Sequence, residues 1–312
     1  MKRLAHVLSL VVFAALYALS SAWAQTAEPG QQTAAGPPTI AFLTDFGMYD
    51  DSVAICKGVM WSIAPTARIV DVAHLRPLHD PSHLTPQTIV TGSRLLWGTT
   101  PYYPAGTVFV VIIDPRAAST RKVVVKSKRG QYFVLPDNGL ITLVQDRDGI
   151  EGAREITNSA WMIGNALSAS FAGRDILAPV AAHLARGEDW TQVGPEAKDL
   201  VRLKIAAARL DDRGVTGEAV AVEEPWGNVI TNISGDDFRK LGYAAGQEVH
   251  LTLGTSELAI PFVKTFDDVA VMKPLLYIDS RSGHLALAVN EGDFAKLYGV
   301  TPPRSIFVPK KQ

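Results

Sequence analysis

Three short segments place carboxylates where a fold of alternating strands and helices could use them. Asp45 follows the apolar run Thr39–Thr44, and Asp114 follows the run from Thr107 to Ile113. Pro136-Asp137-Asn138-Gly139 follows the β-rich stretch from Tyr132 to Leu135. In an open α/β sheet, ligands bind beyond the carboxyl ends of the strands. A carboxylate there can accept two hydrogen bonds from a sugar diol, and an Asn in a tight turn offers both a donor and an acceptor. The same residue types also build ordinary turns. Each segment alone reads either way, and it is their convergence on one sheet edge that favours a site.

The elements that must position these groups follow from hydrophobic pattern. Asp51 to Ile63 and Thr85 to Trp97 have helical spacing, and Arg68 to Val72 is β-rich. Val108-Phe109-Val110-Val111-Ile112-Ile113 is a continuous apolar run, as a strand covered on both faces requires. Lys122 to Lys126 and Tyr132 to Leu135 are two further strands joined through Arg129-Gly130. A helix from Gly173 to Ala185 carries Ile176, Leu177, Val180 and Leu184 on one face, and Gly187 ends it. Strands alternating with helices predict a parallel-sheet α/β domain. Past Gly194 the texture changes to alternating β runs: Val215 to Glu223, Val249 to Leu253, Leu275 to Ile278 and His284 to Val289. One short helix fits Asp236 to Leu241. This reads as a small β-barrel domain. The expected division is 1–24, 25–38 as a flexible leader, 39–200 for the α/β domain and 201–312 for the barrel.

Residues 1–24 read as a secretory signal: Lys2 and Arg3, an apolar stretch from Leu8 to Leu19, then Ala22-Trp23-Ala24 as a cleavage site before Gln25. The apolar stretch is short for a bilayer span, so the expectation is an exported protein, periplasmic or secreted, with no stable membrane anchor after cleavage. Loss of the signal would take the net charge from −1 to −3. There is no basic run with interleaved aromatics, so no nucleic-acid partner is expected. Cys56 is the single cysteine. It excludes an internal disulfide and a structural Cys/His zinc site, and among apolar helical residues it reads as packing. No metal or cofactor is expected.

Six pieces in register then carry a resemblance. They are Leu43-Thr44-Asp45-Phe46-Gly47 with Asp50-Asp51-Ser52-Val53 and Lys57-Gly58-Val59; Ile69-Val70-Asp71-Val72-Ala73-His74; Pro136-Asp137-Asn138-Gly139-Leu140-Ile141-Thr142; Phe171-Ala172-Gly173-Arg174-Asp175-Ile176-Leu177-Ala178-Pro179; Trp226-Gly227-Asn228-Val229-Ile230-Thr231-Asn232-Ile233; and Ser282-Gly283-His284-Leu285 with Ala288-Val289-Asn290. From about residue 39 to 300 the chain resembles the S-adenosylmethionine hydrolase, chlorinase and fluorinase family. The resemblance implies an N-terminal α/β domain, a C-terminal β-barrel, and a homotrimer with substrate between one subunit's N-domain and its neighbour's C-domain. It implies that Asp45 holds the ribose hydroxyls, and that Asn228, Phe266 and backbone near Glu291 address the adenine. It places Trp226 and Phe171 as pocket walls, with Asn138 nearby. Arg281, Ser282 and Glu223 fall at the methionine end, Glu223 where the family usually has Asp. His79 falls where the family has an aromatic pocket residue.

The resemblance divides the family by nucleophile. The halogenases have Tyr at the position of Asp114. The hydrolases have Asp in a segment Asp-Pro-Gly-Val-Gly-Thr-x-Arg, which here reads Asp114-Pro115-Arg116-Ala117-Ala118-Ser119-Thr120-Arg121. Asp114 and Arg121 are therefore the expected catalytic pair, and water the expected nucleophile, giving adenosine and methionine. The segment loses its glycines, and the hydrolases' His in Phe-His-Gly-Arg-Asp is here Ala172. Two alternatives stay open: a non-catalytic adenosyl- or nucleoside-binding protein, and a halide-dependent adenosyl transferase. His79 stands as a substitute for the lost His or as a residue stacking on the ligand. His74 reads as structural, as does Arg174-Asp175, where Asp suits the first helical turn.

Overall fold

The structure, a computed structural model, describes residues 36–75, 86–114, 120–164 and 171–311. The signal-like segment and His79 lie outside the described residues. The compact unit runs from Pro37 onward.

Its first layer system is a six-stranded sheet. The strands are β1 (Thr39–Thr44), β2 (Arg68–His74), β3 (Val108–Ile112), β4 (Lys122–Ser127), β5 (Tyr132–Pro136) and β6 (Ile150–Glu155), in the order β2-β1-β3-β5-β4-β6. β2, β1, β3 and β5 pair in parallel; β4 runs against both β5 and β6. The sheet is thus parallel at its centre and mixed towards one edge, because β4 and β5 form a hairpin. One face is covered by α1 (Ser52–Ile63) and α4 (Ala178–Ala185), which pack with Ile40, Phe42, Val108 and Val110. The other face packs Ala41, Leu43, Phe109 and Val111 against α2 (Pro86–Thr99) and α3 (Thr142–Asp148). The helix expected from Gly173 opens as a five-residue π-turn, Gly173–Leu177, before α4 begins.

The second system is an antiparallel sheet of β7 (Arg209–Leu210), β8 (Gly214–Glu223), β9 (Asn228–Ser234), β10 (Glu248–Leu253), β11 (Ser256–Pro261), β12 (Pro274–Ile278), β13 (His284–Val289) and β14 (Arg304–Pro309). Its order is β11-β10-β14-β8-β9-β13-β12, with β7 on β8. A bridge between Phe262 and Leu276 brings the two edges together, so the sheet is a nearly closed barrel. Phe238 of α5 (Gly235–Arg239) and Phe294 of α6 (Phe294–Tyr298) plug its core.

Candidate functional site

The ends of β1 and β3 create the first cluster. The turn Asp45-Phe46-Gly47 is tied to both flanking strands: the Asp45 N–H donates to the Ile112 carbonyl at 3.0 Å and the Gly47 N–H to the Leu75 carbonyl at 3.1 Å. The Asp45 carboxylate (Oδ2) accepts the Asp114 N–H at 3.0 Å. Burial pushes the Asp45 carboxyl up to about 6, against the lowering effect of the Asp114 and Asp45 N–H groups and with a further push from the Asp114 charge.

Asp114 is differently surrounded. Its Oδ1 accepts the Thr120 hydroxyl at 2.9 Å, and its Oδ2 lies 3.5 Å from Lys122 Nζ. The two charged side chains are only 6% and 9% exposed. Lys122 also donates to the Thr120 carbonyl. Burial holds the Lys122 ammonium below the ordinary lysine value, with Asp114 pulling the other way. Arg121, the expected partner of Asp114, turns elsewhere. Its guanidinium grips Asp137 Oδ2, with Nε at 3.0 Å, and donates to the Lys198 carbonyl at 3.1 Å. Asp137 is buried and also accepts the Val201 N–H at 2.9 Å. Among the described residues, Lys122 stands beside Asp114, and sequence reasoning missed it. The available signal was a lysine opening the otherwise apolar run Val123-Val124-Val125.

Asn138 Nδ2 donates to the Ile113 carbonyl at 2.9 Å, so the turn after β5 is latched to the end of β3. Gly139 follows at φ +102°, and a Cβ there would stand 3.1 Å from the Leu203 backbone nitrogen; only glycine is unstrained there. Phe171 meets Phe46 edge-on at 5.7 Å and carries the Arg174 guanidinium 5.1 Å above its ring. Gly173 lets this wall close: a Cβ would come within 2.9 Å of Ile112 Cδ1 and 3.2 Å of Phe46 Cζ. Ala172 is buried beside it. Arg174 pairs with Asp175 at 2.6 and 3.0 Å. Cys56 is buried, its thiol pushed up to about 12 by burial.

The barrel carries the second cluster. Glu223 ends β8 opposite Asn228, which opens β9, and Arg281 reaches across to hydrogen-bond the Glu223 carboxylate. Asp279 shapes that loop by accepting the Ser282 N–H at 2.8 Å. Trp226, at the tip of the β8–β9 connection, is 69% exposed. Phe266 packs edge-on to Tyr277 at 5.2 Å. Glu291 is exposed in the left-handed region at φ +52°. From α2, Arg94 contributes a cation whose field falls on Glu223, Asp279 and Arg281. A cavity of about 340 Å³ lies beside this cluster, lined by Arg94, Trp97, Ser282 and His284 among others. The described hydrogen bonds of Asp45 and Asn138 stay within the sheet and that between Glu223 and Arg281 within the barrel, with the charge of Arg94 from α2 reaching the latter pair. The candidate residues thus form two half-sites in one chain. Among the described residues, no group of three or more His, Cys, Asp or Glu side chains is arranged to hold a metal ion, and no helix is long and apolar enough to cross a membrane.

A covered α/β sheet with paired carboxylates beyond its strand ends, followed by a barrel bearing a second polar cluster, defines a two-domain protein with a small-molecule site. The chain belongs to the SAM hydroxide adenosyltransferase family, whose N-terminal domain matches residues 40–194 and whose C-terminal domain matches residues 217–307. It is 37% identical over 268 residues to an (R)-S-adenosyl-L-methionine hydrolase of Salinispora tropica, covering 85% of this chain and 95% of that one. It is 33% identical over 303 residues to a fluorinase of an Actinoplanes species, covering 88% and 98%. The crystal structure of an uncharacterized conserved protein from Thermotoga maritima superposes with a TM-score of 0.77 at 35% identity, covering 86% of this chain and 99% of that one.

Proposed function

We propose that the protein hydrolyses S-adenosylmethionine, giving adenosine and methionine. The observation that carries this is the pair of strand-end carboxylates, Asp45 and Asp114, joined by the Asp114 N–H to Asp45 bond and placed in two unlike environments. Asp45, its oxygens facing only N–H donors in the described contacts, accepts the ribose hydroxyls. Asp114, with Lys122 beside it, orients water towards C5′. The water oxygen bonds to C5′ and the C5′–S bond breaks. Its electron pair stays on sulfur, which leaves as the neutral thioether of methionine, and Asp114 takes the water proton. The leaving group is already good, so the protein's task is to place the water and strip its solvent.

The site is completed between subunits of a homotrimer. Met48 and Tyr49, just after Asp45, are 68% and 74% exposed, and Trp226 in the barrel half is exposed to a similar degree. Exposed apolar groups beside two incomplete half-sites suit closure by a neighbouring chain. Export rests on the Met1–Ala24 pattern, and the exported enzyme would act as a scavenger. A second reading, a binding protein without turnover, is favoured by Ala172 in place of the hydrolases' His and by the engagement of Arg121 with Asp137.

The test is incubation of the processed protein with S-adenosylmethionine and chromatography of the products. Adenosine with methionine supports hydrolysis. Binding without products supports the second reading, and no binding overturns both. Asp114→Asn should retain binding and lose turnover; unchanged turnover would remove Asp114 from the mechanism.

A further inference from the structure

The Asp71-x-x-His74 segment has no part in the site described above, yet it ends against it. Lys57 Nζ donates to Asp71 Oδ2 at 2.6 Å. The other Asp71 oxygen stands 3.2 Å from His74 Nε2, and His74 Nδ1 stands 2.8 Å from the Thr44 hydroxyl. The Thr44 oxygen in turn accepts the Phe46 N–H at 3.2 Å. The His74 and Thr44 side chains are buried, and the imidazole packs edge-on to Phe42 at 5.2 Å.

The direction of each bond can be assigned. Burial works against the Asp71 charge, but the hydrogen bond and charge of Lys57, with His74 beside it, hold its carboxyl below the usual range. It is therefore an acceptor only. Burial also holds His74 below its ordinary value, so the ring is neutral. We assign the ring proton to Nε2, which faces the Asp71 carboxylate at 3.2 Å as an electrostatic contact, and Nδ1 is left as an acceptor. The Thr44 hydroxyl donates to Nδ1, and its lone pairs are left for the Phe46 N–H. A line of contacts runs from the surface cation to the turn that holds Asp45, with hydrogen bonds on either side of the electrostatic contact between Asp71 and His74.

We propose that Thr44 and His74 are positioning residues for the sugar diol: the chain Lys57–Asp71–His74–Thr44 fixes the Phe46 N–H and so sets the Asp45 carboxylate to accept two hydroxyls. This rests on the reading that Asp45 binds a ribose. Thr44 directly precedes Asp45, and the ring of Phe46 is the edge-on partner of Phe171. Rotation of this turn would move the carboxylate and the aromatic wall together.

The experiment compares adenosine with 2′,3′-dideoxyadenosine by calorimetry. The wild-type chain should prefer the diol by at least about ten-fold, the scale of a hydrogen bond to a charged group. Thr44→Val keeps the side-chain shape and should bring the two affinities within about three-fold. Thr44→Ser should restore the preference. His74→Phe keeps a ring against Phe42 and leaves Thr44 in place, guarding against a folding defect in the first variant; it should also erode the preference. If Thr44→Val and His74→Phe fold and keep the wild-type preference, the positioning role is overturned while the ribose reading stands. If the wild-type chain itself shows no preference, the ribose reading fails and this proposal with it.

Discussion

If Asp45 binds a diol as a carboxylate, ligand affinity must follow its ionisation. In the empty protein burial sets that group near 6. Two donated hydroxyl hydrogen bonds favour the charged form, so the ligand binds that form and releases a proton on the acid side. The apparent affinity falls with the ionised fraction. At pH 7.5 nearly all of the group is charged. At pH 5 about one part in eleven is, so adenosine should bind about ten-fold more weakly, roughly 1.4 kcal/mol. Calorimetry from pH 4.5 to 8, in two buffers of different ionisation heat, reads both the affinity and the released proton. His74, held low by burial, is the nearby group that could imitate the effect. Asp45→Asn separates the two: the variant should bind weakly and without this slope. A wild-type affinity flat between pH 5 and 7.5, or the same slope in Asp45→Asn, would refute the reasoning. The same shift has a sign in stability. A carboxyl raised from 3.8 to about 6 contributes stability that is present below the lower value and lost as pH rises through the higher one. The cost at neutral pH is of the order of 3 kcal/mol. Empty Asp45→Asn should therefore gain on the wild type in urea denaturation as pH rises from 4 to 7.

Lys122→Met should reduce turnover and lower stability by about 1–3 kcal/mol, because the buried Asp114 carboxylate loses the ammonium 3.5 Å from it; product chromatography and urea denaturation read the two effects. Asp137→Ala should cost about 1–3 kcal/mol by releasing Arg121 and the Val201 N–H, with adenosine affinity in the surviving folded fraction little changed. Ala172→His should raise turnover if the missing His limits the rate, at a cost of about 1–3 kcal/mol from overfilling a buried position; turnover and thermal melting check it together.

The elements that were legible in the sequence are those whose burial leaves a one-dimensional trace. β3 reads as a strand because Val108–Ile112 is buried on both faces, and α4 with its π-turn reads as one helix because Leu177, Val180 and Leu184 share a buried side. Asp45 and Asp114 could be placed because they terminate such strands. β14 left no such trace: prolines precede it at 302 and 303 and a third, Pro309, ends it, yet it pairs with both β8 and β10. Side-chain partners were illegible for a different reason. Thr44 meets His74 through a register shift after Phe42; unbroken pairing would set Thr44 against Ala73. Arg121 and Lys122 are adjacent in sequence and point to different carboxylates, a choice that depends on Asp137 and Asp114 lying at the ends of neighbouring strands.

The contrast between Asp45 and Asp114 bears on the nucleophile. Two carboxylates in unlike surroundings can take separate roles, one binding and one reacting. An anion approaching a carbon above this edge would meet, among the described residues, the Asp45 and Asp114 carboxylates with the Lys122 ammonium beside the second. At about 4 Å and an effective dielectric near 20, one uncompensated charge repels it by about 4 kcal/mol. Water carries no such penalty and gains an acceptor for its proton. A halide would need Asp114 neutralised or replaced, so Asp114→Tyr is the substitution that would open the site to one.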